Sequence, residues 1–382
     1  MSQFKKGEIK QQTLLVMAGG TGGHIFPGLA VADELKAKGW NIHWLGTADK
    51  MEAKIVPEHG YDISFINISG LRHKGILSLL TMPFKLLQSL LQARKVFKKI
   101  KPDVVLGMGG YASAPGGLTA WLSNIPLIVH EQNAAAGLSN KLLAKVANKV
   151  CCAFPNAFTE KVNAEVVGNP LRASIGCQTL EQENTESISK NILVVGGSLG
   201  AQVLNEAVPE SFKQLVAVDD SYAIWHQTGA GKQAQVISAY DESDIASRKV
   251  KVTEFISNMA EAYHWADIVI CRAGALTVSE LAMAGTPAIF VPLPHAVDDH
   301  QTKNALYLVN SGAAKLLPQK KLNPESLGNL ITELFNEEQT LKSMAKAALD
   351  SANSDASQKV AKLCEQLSLA ARTDNRNNEE II

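Results

Sequence analysis

Short apolar runs alternate with longer amphipathic segments along almost the whole chain. Parallel strands that are covered on both faces read as such runs, and the segments between them are long enough to form crossover helices. We therefore predict an α/β protein built on doubly wound parallel sheets. The strand-like runs are, in order, "LLVMAG", "NIHWLG", "DISFINI", "DVVLGMG", "LIVHE", "KVCCAF", "AEVVGN", "NILVVGG", "YAIWHQTG", "VKVTEFI", "DIVICRAG", "PAIFVPL" and "AAKLLP".

The two halves of the sequence resemble each other. "LLVMAGGTGG" near residue 14 resembles "ILVVGGSLGA" near 192, and "PDVVLGMGGYAS" near 102 resembles "ADIVICRAGALT" near 266. A separation of roughly 165 to 180 residues is far longer than a solenoid repeat and indicates two similar domains, with a ligand expected in the cleft between them. The polar segment "CQTLEQENTESISKN" predicts a linker or an exposed loop near their boundary.

Composition narrows the class of protein. With 382 residues, of which 46% are hydrophobic, the chain can bury more than one core. The 37 Lys and Arg residues balance the 37 Asp and Glu residues, which argues against nucleic acid as the main partner. The first residues are polar and no run reaches the roughly 20 apolar residues of a membrane span, so we expect a cytoplasmic protein without a signal peptide.

The cysteines predict neither a disulfide nor a zinc site. None of the five lies in a C-x-x-C pair, and an odd number in a long chain is typical of reduced thiols. They are Cys151, Cys152, Cys177, Cys271 and Cys364.

Three glycine-rich loops follow strand-like runs: "GGTGGH" (19–24), "GMGGYAS" (107–113) and "GGSLGA" (196–201). Where a strand turns through glycines into a helix, free backbone N–H groups and the positive end of the helix dipole can bind an anion. Phosphate is the usual ligand of such a loop. Any single loop is equally well explained by tight strand-to-helix packing. Three of them together favour ligand binding.

Two common nucleotide sites do not fit these loops. "GGTGGHIFPG" is out of register with G-x-G-x-x-G, and the second strand ends in Gly46 where an NAD site needs an acidic residue. "GAGK" resembles part of a P-loop, but Gln233 follows the lysine and His226 occupies the position of the first glycine. Both an NAD enzyme and a P-loop ATPase are therefore disfavoured.

A series of longer motifs resembles the MurG family of peptidoglycan glycosyltransferases. From about residue 13 to about 365 they are "GGTGGH", "GMGGYASAPG", "HEQNAAAGLSNK", "VGNPLR", "GGSLGAQVLN", "VTEFI", "CRAGALTVSELAMAGTPAIFVPLP" and "DDHQTKNA". The resemblance implies a GT-B fold, in which two Rossmann-like doubly wound domains face a cleft. It also implies an inverting enzyme that moves N-acetylglucosamine (GlcNAc) from UDP-GlcNAc to the C4 hydroxyl of N-acetylmuramic acid (MurNAc) in undecaprenyl-linked lipid I. The product is lipid II, and neither a metal nor another cofactor is implied.

The resemblance also implies that different segments of the chain form domains with different functions. Residues 1–170 would form an acceptor and membrane-facing domain, and residues 171–345 a domain that binds UDP-GlcNAc. Residues 346–370 would form C-terminal helices that return toward the first domain. The polar tail 371–382 is expected to be disordered.

Most donor contacts implied by the resemblance lie in the second half. Ser198 and the amides beside it open a helix, where a diphosphate is stabilised. Arg172 matches the family's donor-contacting arginine, although a surface cation beside the linker is the alternative. Ile256 matches the position whose backbone reads uracil. The implied site also includes Ala275, Leu276, Thr277, Val278 and Ser279.

Glu280 lies in "ALTVSE", which predicts a helix that begins at about Thr277. It matches the glutamate that accepts hydrogen bonds from both ribose hydroxyls of UDP. "TVSE" fits the T-x-x-E capping box equally well, so the sequence leaves a capping role open.

Further residues match positions that contact the sugar. Gln301 matches a glutamine that contacts the GlcNAc hydroxyls, and His300 stands where some relatives carry another glutamine. Asp298 and Asp299 are expected to be solvated loop charges, because two carboxylates alone do not specify a metal site. The face of the first domain that closes on the sugar is matched by Thr21, Gly22, Gly23 and Asn133.

His24 ends the first glycine loop, and two roles are open for it. A neutral imidazole can take the proton of the acceptor hydroxyl as that oxygen attacks the anomeric carbon. Alternatively, His24 orders the loop or contacts the acceptor diphosphate. Glu131 is a second candidate base, or a carboxylate held in buried structural hydrogen bonds. The candidate acceptor loop is Gly109, Gly110 and Tyr111.

The segment "KGILSLLTMPFKLLQSLLQARKVFKKIK" combines apolar residues with an excess of Lys and Arg. Pro83 and Lys85 interrupt it, so we expect it to lie on an anionic membrane surface and not to span the bilayer. The alternative is a crossover helix packed on the first sheet. The candidate membrane-facing residues are Ile76, Leu79, Leu80, Phe84 and Lys85. The resemblance likewise implies a peripheral protein on the cytoplasmic face of the inner membrane, with other cell-wall synthesis proteins among its partners.

Two other classes of function remain open at this stage. A UDP-GlcNAc 2-epimerase resembles this fold and nucleotide site but handles no second substrate, and a non-catalytic subunit would only bind a nucleotide sugar. Release of UDP that depends on a lipid acceptor distinguishes the transferase from both.

Overall fold

The structure is a computed structural model and describes residues 11–68, 76–172, 175, 190–197, 199–240, 249–294 and 296–379. Side chains are described for all of these except 76–82, 297, 338 and 374–379. The expected linker, 177–191, lies almost entirely outside the described residues. The chain divides into two compact units, of which the first comprises Met1–Gln132, Ala136–Pro170 and Asp355–Ile382 and the second Asn133–Ala135 and Leu171–Ser354.

The first unit is built on a parallel sheet. Its strands are β1 (Thr13–Ala18), β2 (Asn41–Gly46), β3 (Asp62–Phe65), β4 (Val104–Gly109), β5 (Leu127–Glu131), β6 (Lys149–Cys152) and β7 (Glu165–Val166). Its helices before residue 170 are α1 (Gly22–Ala37), α2 (Glu52–Glu58), α3 (Ile76–Ile100), α4 (Ser113–Leu122) and α5 (Leu138–Leu143). In the described residues the strand order is β3-β2-β1-β4-β5-β6-β7, and the first register pair of β1 and β2 is Thr13 with Asn41.

Helices cover both faces of this sheet. Every residue of β1 is buried, and alternate residues face different layers, because Leu14 and Val16 lie in one hydrophobic cluster and Leu15 and Met17 in the other. The first cluster includes apolar residues of α1, and the second includes residues of α3 and α4. Burial on both faces is the reason that the strands read as continuous apolar runs.

The second unit repeats this plan with a second parallel sheet. Its strands are β8 (Lys190–Val195), β9 (Tyr222–Gln227), β10 (Val250–Thr253), β11 (Ile268–Cys271), β12 (Ala288–Phe290) and β13 (Ala314–Leu316). Its helices are α6 (Gln202–Val218), α7 (Gln233–Ile237), α8 (Met259–Trp265), α9 (Ala275–Ala284), α10 (His300–Asn310), α11 (Pro324–Asn336) and α12 (Glu338–Asp350), with short 3₁₀ turns at Val297–Asp299 and Gln319–Lys321. The strand order in the described residues is β10-β9-β8-β11-β12-β13.

The last helix, α13 (Ala356–Glu379), belongs to the first unit and packs on α1. Glu365 pairs with Lys38 at 3.0 Å, and buried Val360 joins the first hydrophobic cluster. The segment that returns to the first unit thus begins at Asp355 and not at residue 346 as the sequence suggests, because residues 346–354 group with the second unit.

The chain is helical through Glu379, where the sequence predicts a disordered tail from 371. One physical reason is an ion pair that composition does not reveal, in which the Arg372 guanidinium donates to the Asp103 carboxylate at 2.9 Å. Residues 380–382 lie outside the described part of the chain.

Candidate functional site

In the first unit the candidate loops meet where the strand order reverses. The chain fills one side of β1 with β2 and β3 and then crosses to β4 on the other side, and such a switch point leaves a crevice at the carboxyl ends of the strands. The loops after β1 and β4 touch there, because a Cβ at Gly110 would lie 2.5 Å from the carbonyl oxygen of Gly19. Gly110 also has a φ of +92°, so two constraints require glycine at this position.

The residues of the first loop form the start of α1. Thr21 is its exposed N-cap residue and makes no side-chain cap hydrogen bond. Gly22 and Gly23 follow in the first turn, where backbone N–H groups have no intrahelical acceptor. Tyr111 lies in the loop between β4 and α4 and is 45% exposed. The first turn of α1 therefore contains backbone donors of the kind on which the predicted anion site depends.

His24 is half-buried in the first turn of α1, and its ring packs on Gly109. A Cβ at Gly109 would lie 2.9 Å from Nδ1 of His24. The same nitrogen lies 2.8 Å from Oε1 of Gln132, whereas Nε2 has no hydrogen-bond partner among the described residues. This geometry orders the loop and leaves one ring nitrogen available, so it is compatible with both roles considered for His24.

Glu131 is buried and stabilises a helix terminus. Its Oε2 accepts hydrogen bonds from the backbone N–H of Gly137 at 3.0 Å and from Nδ2 of Asn140 at 2.9 Å. Gly137 is the N-cap residue of α5, so the carboxylate satisfies donors at the start of that helix. The geometry supports the structural alternative for Glu131 over the role of base.

A carboxylate that the sequence analysis missed holds the first glycine loop. Glu52 is 1% exposed, and its Oε2 accepts from the N–H of Gly20 at 2.9 Å. Its Oε1 accepts from the N–H and the hydroxyl of Thr47 at 3.0 and 2.7 Å. One amide of the loop is thus already occupied by the protein's own anion. Nothing in "TADKME" distinguishes this glutamate from a surface one.

The second unit has its switch point between β8 and β11. Gly200, in the loop after β8, has a φ of +69°, and any Cβ there would overlap the carbonyl oxygen of Thr228. Ser198, the predicted phosphate contact, lies outside the described residues. The loop after β11 leads into α9, so two helix N-termini open at this edge of the sheet.

Gln227, at the end of β9, hydrogen-bonds both to the loop after β8 and to the segment after β10, which carries the predicted uracil contact. Its Oε1 accepts from the N–H of Gly196 at 3.2 Å, and its Nε2 donates to the carbonyls of Gly197 and Glu254 at 3.0 and 2.9 Å. Ile256 follows Glu254 closely and is 4% exposed. Gln227 is not among the site residues predicted from the sequence.

Helix α9 begins at Ala275, with Gly274 as its N-cap residue and no side-chain cap. The predicted start at Thr277 and the capping box of Glu280 are therefore wrong, because Gly274 already supplies the extended cap residue. Ala275 and Val278 are buried, whereas Leu276, Thr277 and Ser279 are partly exposed along the first turns.

Glu280 lies in the second turn of α9, and its Oε2 accepts a hydrogen bond from the Tyr263 hydroxyl at 2.9 Å. Burial raises the pKa of this carboxyl to about 7, although the Tyr263 hydrogen bond and the positive charge of Arg172 oppose the rise. Arg172 therefore interacts electrostatically with the Glu280 carboxyl group within this unit. Tyr263 has no counterpart in the sequence analysis.

The residues expected at the sugar lie on α10 and beside it. Oε1 of Gln301 accepts from the N–H of Leu293 at 2.9 Å, which leaves the side-chain NH₂ to donate elsewhere. His300 is partly exposed at the first position of the helix. Asp298 and Asp299 precede it with φ values of +54° and +51°, so the chain enters α10 through a left-handed turn.

Asn133 groups with the second unit, whereas the loop 21–23 groups with the first. The reason is Asn304, a fully buried residue of α10. Its Nδ2 donates to Oδ1 of Asn133 at 3.3 Å and to the carbonyl of Ala273 at 3.2 Å, and its Oδ1 accepts from the N–H of Ala134 at 2.7 Å. The sequence analysis missed Asn304, although it lies within the quoted motif "DDHQTKNA".

Comparison with known proteins decides the family. The Glycosyltransferase family 28 N-terminal domain matches residues 14–152, and the Glycosyltransferase family 28 C-terminal domain matches residues 191–363. The chain is 73% identical, over 97% of each chain, to the UDP-N-acetylglucosamine–N-acetylmuramyl-(pentapeptide) pyrophosphoryl-undecaprenol N-acetylglucosamine transferase of Colwellia psychrerythraea. The chain belongs to glycosyltransferase family 28.

Solved structures agree with this family 28 assignment. A crystal structure of Acinetobacter baumannii MurG has a TM-score of 0.78 and 42% identity, and the match covers 93% of this chain and 99% of that one. The UDP-GlcNAc 2-epimerase of Neisseria meningitidis, bound to UDP-GlcNAc, has a TM-score of 0.64 at 14% identity, with 92% and 99% covered. At that identity the epimerase is similar in fold alone. The prediction of a GT-B fold with two Rossmann-like domains is confirmed.

Metal sites, membrane spans and reactive thiols are three further features on which the described residues of this family 28 chain bear. No group of three or more His, Cys, Asp or Glu side chains there could hold a metal ion. No helix there has both the length and the apolar character needed to cross a bilayer. The described cysteines are buried and free, and burial raises the pKa of each thiol, which disfavours a nucleophilic role. Cys177 lies outside the described residues.

Proposed function

We propose that this chain is the N-acetylglucosaminyltransferase that moves GlcNAc from UDP-GlcNAc to the C4 hydroxyl of MurNAc in lipid I, forming lipid II for peptidoglycan. The observation that carries the proposal is 73% identity, across 97% of both chains, with a relative whose name states this transfer. The chemistry of each unit, taken separately, is consistent with one substrate of such a reaction.

The second unit supplies the groups that a UDP donor needs. The Glu280 carboxylate accepts hydrogen bonds from the ribose diol, and the backbone at Ile256 pairs with uracil. The loop after β8, with Ser198, and the Arg172 guanidinium meet the diphosphate, where a fixed cation and helix N-terminal amides stabilise negative charge. Gln301 donates its free NH₂ to a hydroxyl of the sugar. Gln227 and Tyr263 support these groups, since each hydrogen-bonds to one of them or to its neighbouring backbone.

The chemistry of transfer requires two changes of charge. The acceptor's C4 oxygen loses its proton as it attacks the anomeric carbon, and UDP leaves with added negative charge. We assign the proton to His24, whose Nε2 is available, because Glu131 is committed to the N-terminus of α5. The leaving charge is stabilised by Arg172 and by the N-termini of α6 and α9.

A UDP-release assay tests the proposal against the two other classes. We expect UDP to appear only when UDP-GlcNAc and a lipid I analogue are both present, with the same rate in the presence of a chelator. An epimerase converts UDP-GlcNAc without any acceptor, and a binding subunit produces no UDP under any condition. Either result contradicts the transferase assignment.

The exposed face of α3 supports a peripheral position on an anionic membrane. Phe84, Leu87 and Leu91 are spaced by three and four residues, so they lie on one face of the helix, and they are 77%, 56% and 55% exposed. Lys95 and Lys98 continue the same line toward the helix C-terminus, and neither forms an ion pair among the described residues. An apolar stripe flanked by cations is typical of a helix lying at a lipid interface.

The opposite face of α3 packs on the sheet, through buried Ser89, Ala93 and Phe97. The alternative of a helix packed on the first sheet thus describes this face, and the membrane proposal concerns the exposed one. Lys85 is exposed beside the stripe, whereas Ile76, Leu79 and Leu80 belong to α3 but their side chains lie outside the described ones. We propose that the exposed stripe contacts anionic lipid at the cytoplasmic face of the membrane that holds the acceptor.

Replacing Phe84, Leu87 and Leu91 with serine should reduce co-sedimentation with anionic liposomes by about tenfold or more, because each apolar side chain contributes about 1.5 to 3 kcal/mol when it leaves water. High salt should weaken the binding of the unmodified protein, since each cation near the surface contributes about 1 kcal/mol. UDP affinity should stay the same.

A matched control replaces Val218 and Leu369, which are exposed apolar residues on other helices. This double serine variant should bind liposomes as the unmodified protein does. Equal liposome binding by the α3 variant and the unmodified protein, at low and at high salt, would contradict the membrane role of α3.

A further inference from the structure

We infer that Gln132 and His130 fix the tautomer of His24, so that its neutral ring carries the proton on Nδ1 and presents the lone pair of Nε2. Gln132 and His130 are positioning residues in this account, because they act through His24. The use of the lone pair rests on the proposed function, whereas the tautomer itself follows from the hydrogen bonds of the first unit.

The chain of hydrogen bonds starts at a backbone carbonyl. Nε2 of His130 lies 2.9 Å from the carbonyl oxygen of Gly168, which can only accept, so Nε2 of His130 must carry a hydrogen. His130 is fully buried, and burial lowers its pKa to about 4, so the ring is neutral near pH 7. Its Nδ1 is therefore an acceptor.

The orientation of the Gln132 amide follows from this. Its Nε2 lies 3.0 Å from Nδ1 of His130 and 3.1 Å from the carbonyl oxygen of His130. Both are acceptors, so the NH₂ group must face them, and the amide oxygen must face the other way. That oxygen lies 2.8 Å from Nδ1 of His24. Because the oxygen can only accept, Nδ1 of His24 is the donor and Nε2 of the neutral ring bears the lone pair.

Other contacts hold the amide and the ring in place. The backbone carbonyl of Gln132 accepts from Nδ2 of Asn169 at 3.1 Å, and Gln132 itself is 1% exposed. The His24 ring rests on Gly109, where any side chain would overlap it. Because the acceptor is an amide and not a carboxylate, the relay orients the ring without adding a negative charge beside it. A base oriented in this way needs no rearrangement before it takes a proton.

The tautomer can be read directly from the full-length protein labelled with ¹⁵N-histidine, by two-bond ¹H–¹⁵N correlation spectra at a pH where His24 is neutral. The His24 signals are assigned by their loss in His24→Gln. We expect a protonated Nδ1 and an unprotonated Nε2, which is the reverse of the preference of free histidine in water. A His24 ring protonated on Nε2 overturns the inference, and this result does not depend on any activity.

Kinetics separate positioning from general structural support. Gln132→Met keeps the length of the side chain and removes its three hydrogen bonds to His24 and His130. It should therefore shift His24 toward the other tautomer. It should also lower kcat by about 3- to 10-fold, the loss expected for the one hydrogen bond to His24, with the KM for UDP-GlcNAc unchanged. In a His24→Ala background the same change should cost nothing further, because Gln132 acts through His24.

The matched control is Gln92→Met, which removes another side-chain amide whose oxygen accepts from a backbone N–H in the first unit. It should leave both the His24 spectrum and kcat unchanged. An unaltered His24 tautomer in Gln132→Met, or an equal loss with and without His24, overturns the inference. Absence of transferase activity in the unmodified protein would instead contradict the proposed function and leave the spectroscopic result standing.

Discussion

Replacing His24 with alanine is expected to lower kcat by roughly 10² to 10⁴-fold, with little change in the KM for UDP-GlcNAc. The loss corresponds to about 3 to 5 kcal/mol of transition-state stabilisation, the usual range for removal of a general base. The donor KM is unaffected because His24 acts on the acceptor hydroxyl. Steady-state kinetics measure kcat and the KM for UDP-GlcNAc. The lipid I analogue is varied at a fixed concentration of UDP-GlcNAc, and UDP-GlcNAc is then varied at a fixed concentration of the analogue.

His59→Ala is the matched control, because His59 is an exposed histidine of the same unit whose Nδ1 contacts the backbone carbonyl of Ile55 at the end of α2. It should retain the kcat of the unmodified protein. A drop below tenfold in His24→Ala, or a loss confined to KM, would leave His24 with the loop-ordering or binding role that the sequence also allows.

Glu280→Ala should weaken UDP-GlcNAc binding by about 1 to 3 kcal/mol, or roughly 5- to 150-fold, because the ribose diol loses a charged acceptor. Isothermal titration measures this directly. Glu261→Gln is the control, since Glu261 is an exposed glutamate on neighbouring α8 and should leave the affinity unchanged. Unchanged UDP affinity in Glu280→Ala would exclude the assignment of the ribose contact.

The raised pKa of Glu280 adds a pH dependence to the same prediction. Its pKa in the free protein is about 7, and the diol favours the ionised carboxylate, so below pH 7 binding requires loss of a proton. UDP-GlcNAc affinity should therefore fall as the pH decreases from 8 to 6, by about tenfold at one unit below the pKa. In Glu280→Gln the affinity should be weaker and lose this dependence, because no proton is exchanged at that position.

Glu280 should also destabilise the unliganded fold at neutral and higher pH. Its pKa is higher in the folded protein than in the unfolded chain, so the stability that it contributes is fully present below pH 4.5 and is lost as the pH rises through about 7. Glu280→Gln is therefore expected to increase the free energy of unfolding at pH 8, as measured by denaturant titration. An unchanged or lower stability would mean that the carboxylate is not poorly solvated in the free protein.

The strands and the glycine loops could be predicted from the sequence because their causes are local. A strand buried on both faces has to be apolar throughout, as β1 is, and a glycine such as Gly110 is required wherever two loops touch. Both features can be recognised from a few consecutive residues of the sequence. The start of α9 is less well specified by the sequence, because Gly274 and Thr277 are both acceptable cap residues.

The residues that the sequence analysis missed act across long separations in the chain. Glu52 holds Gly20, Gln132 holds His24, and Asn304 holds Asn133 and Ala134. Each is a common polar residue whose own neighbours in the sequence do not reveal its hydrogen-bond partner. Their roles depend on which strand ends lie side by side, which a single sequence does not specify. The family resemblance pointed to the groups expected to touch substrate, and the structure adds those that hold them in place.

Direct detection of the product tests the central claim most closely. The protein is incubated with UDP-GlcNAc that is radiolabelled in the sugar, together with a lipid I analogue or with the same analogue lacking the C4 hydroxyl of MurNAc. We expect the label to move to the complete acceptor, with one added N-acetylhexosamine by mass spectrometry, and no transfer to the 4-deoxy analogue. Transfer to the 4-deoxy analogue, or conversion of the labelled donor without any transfer to either acceptor, would contradict the account.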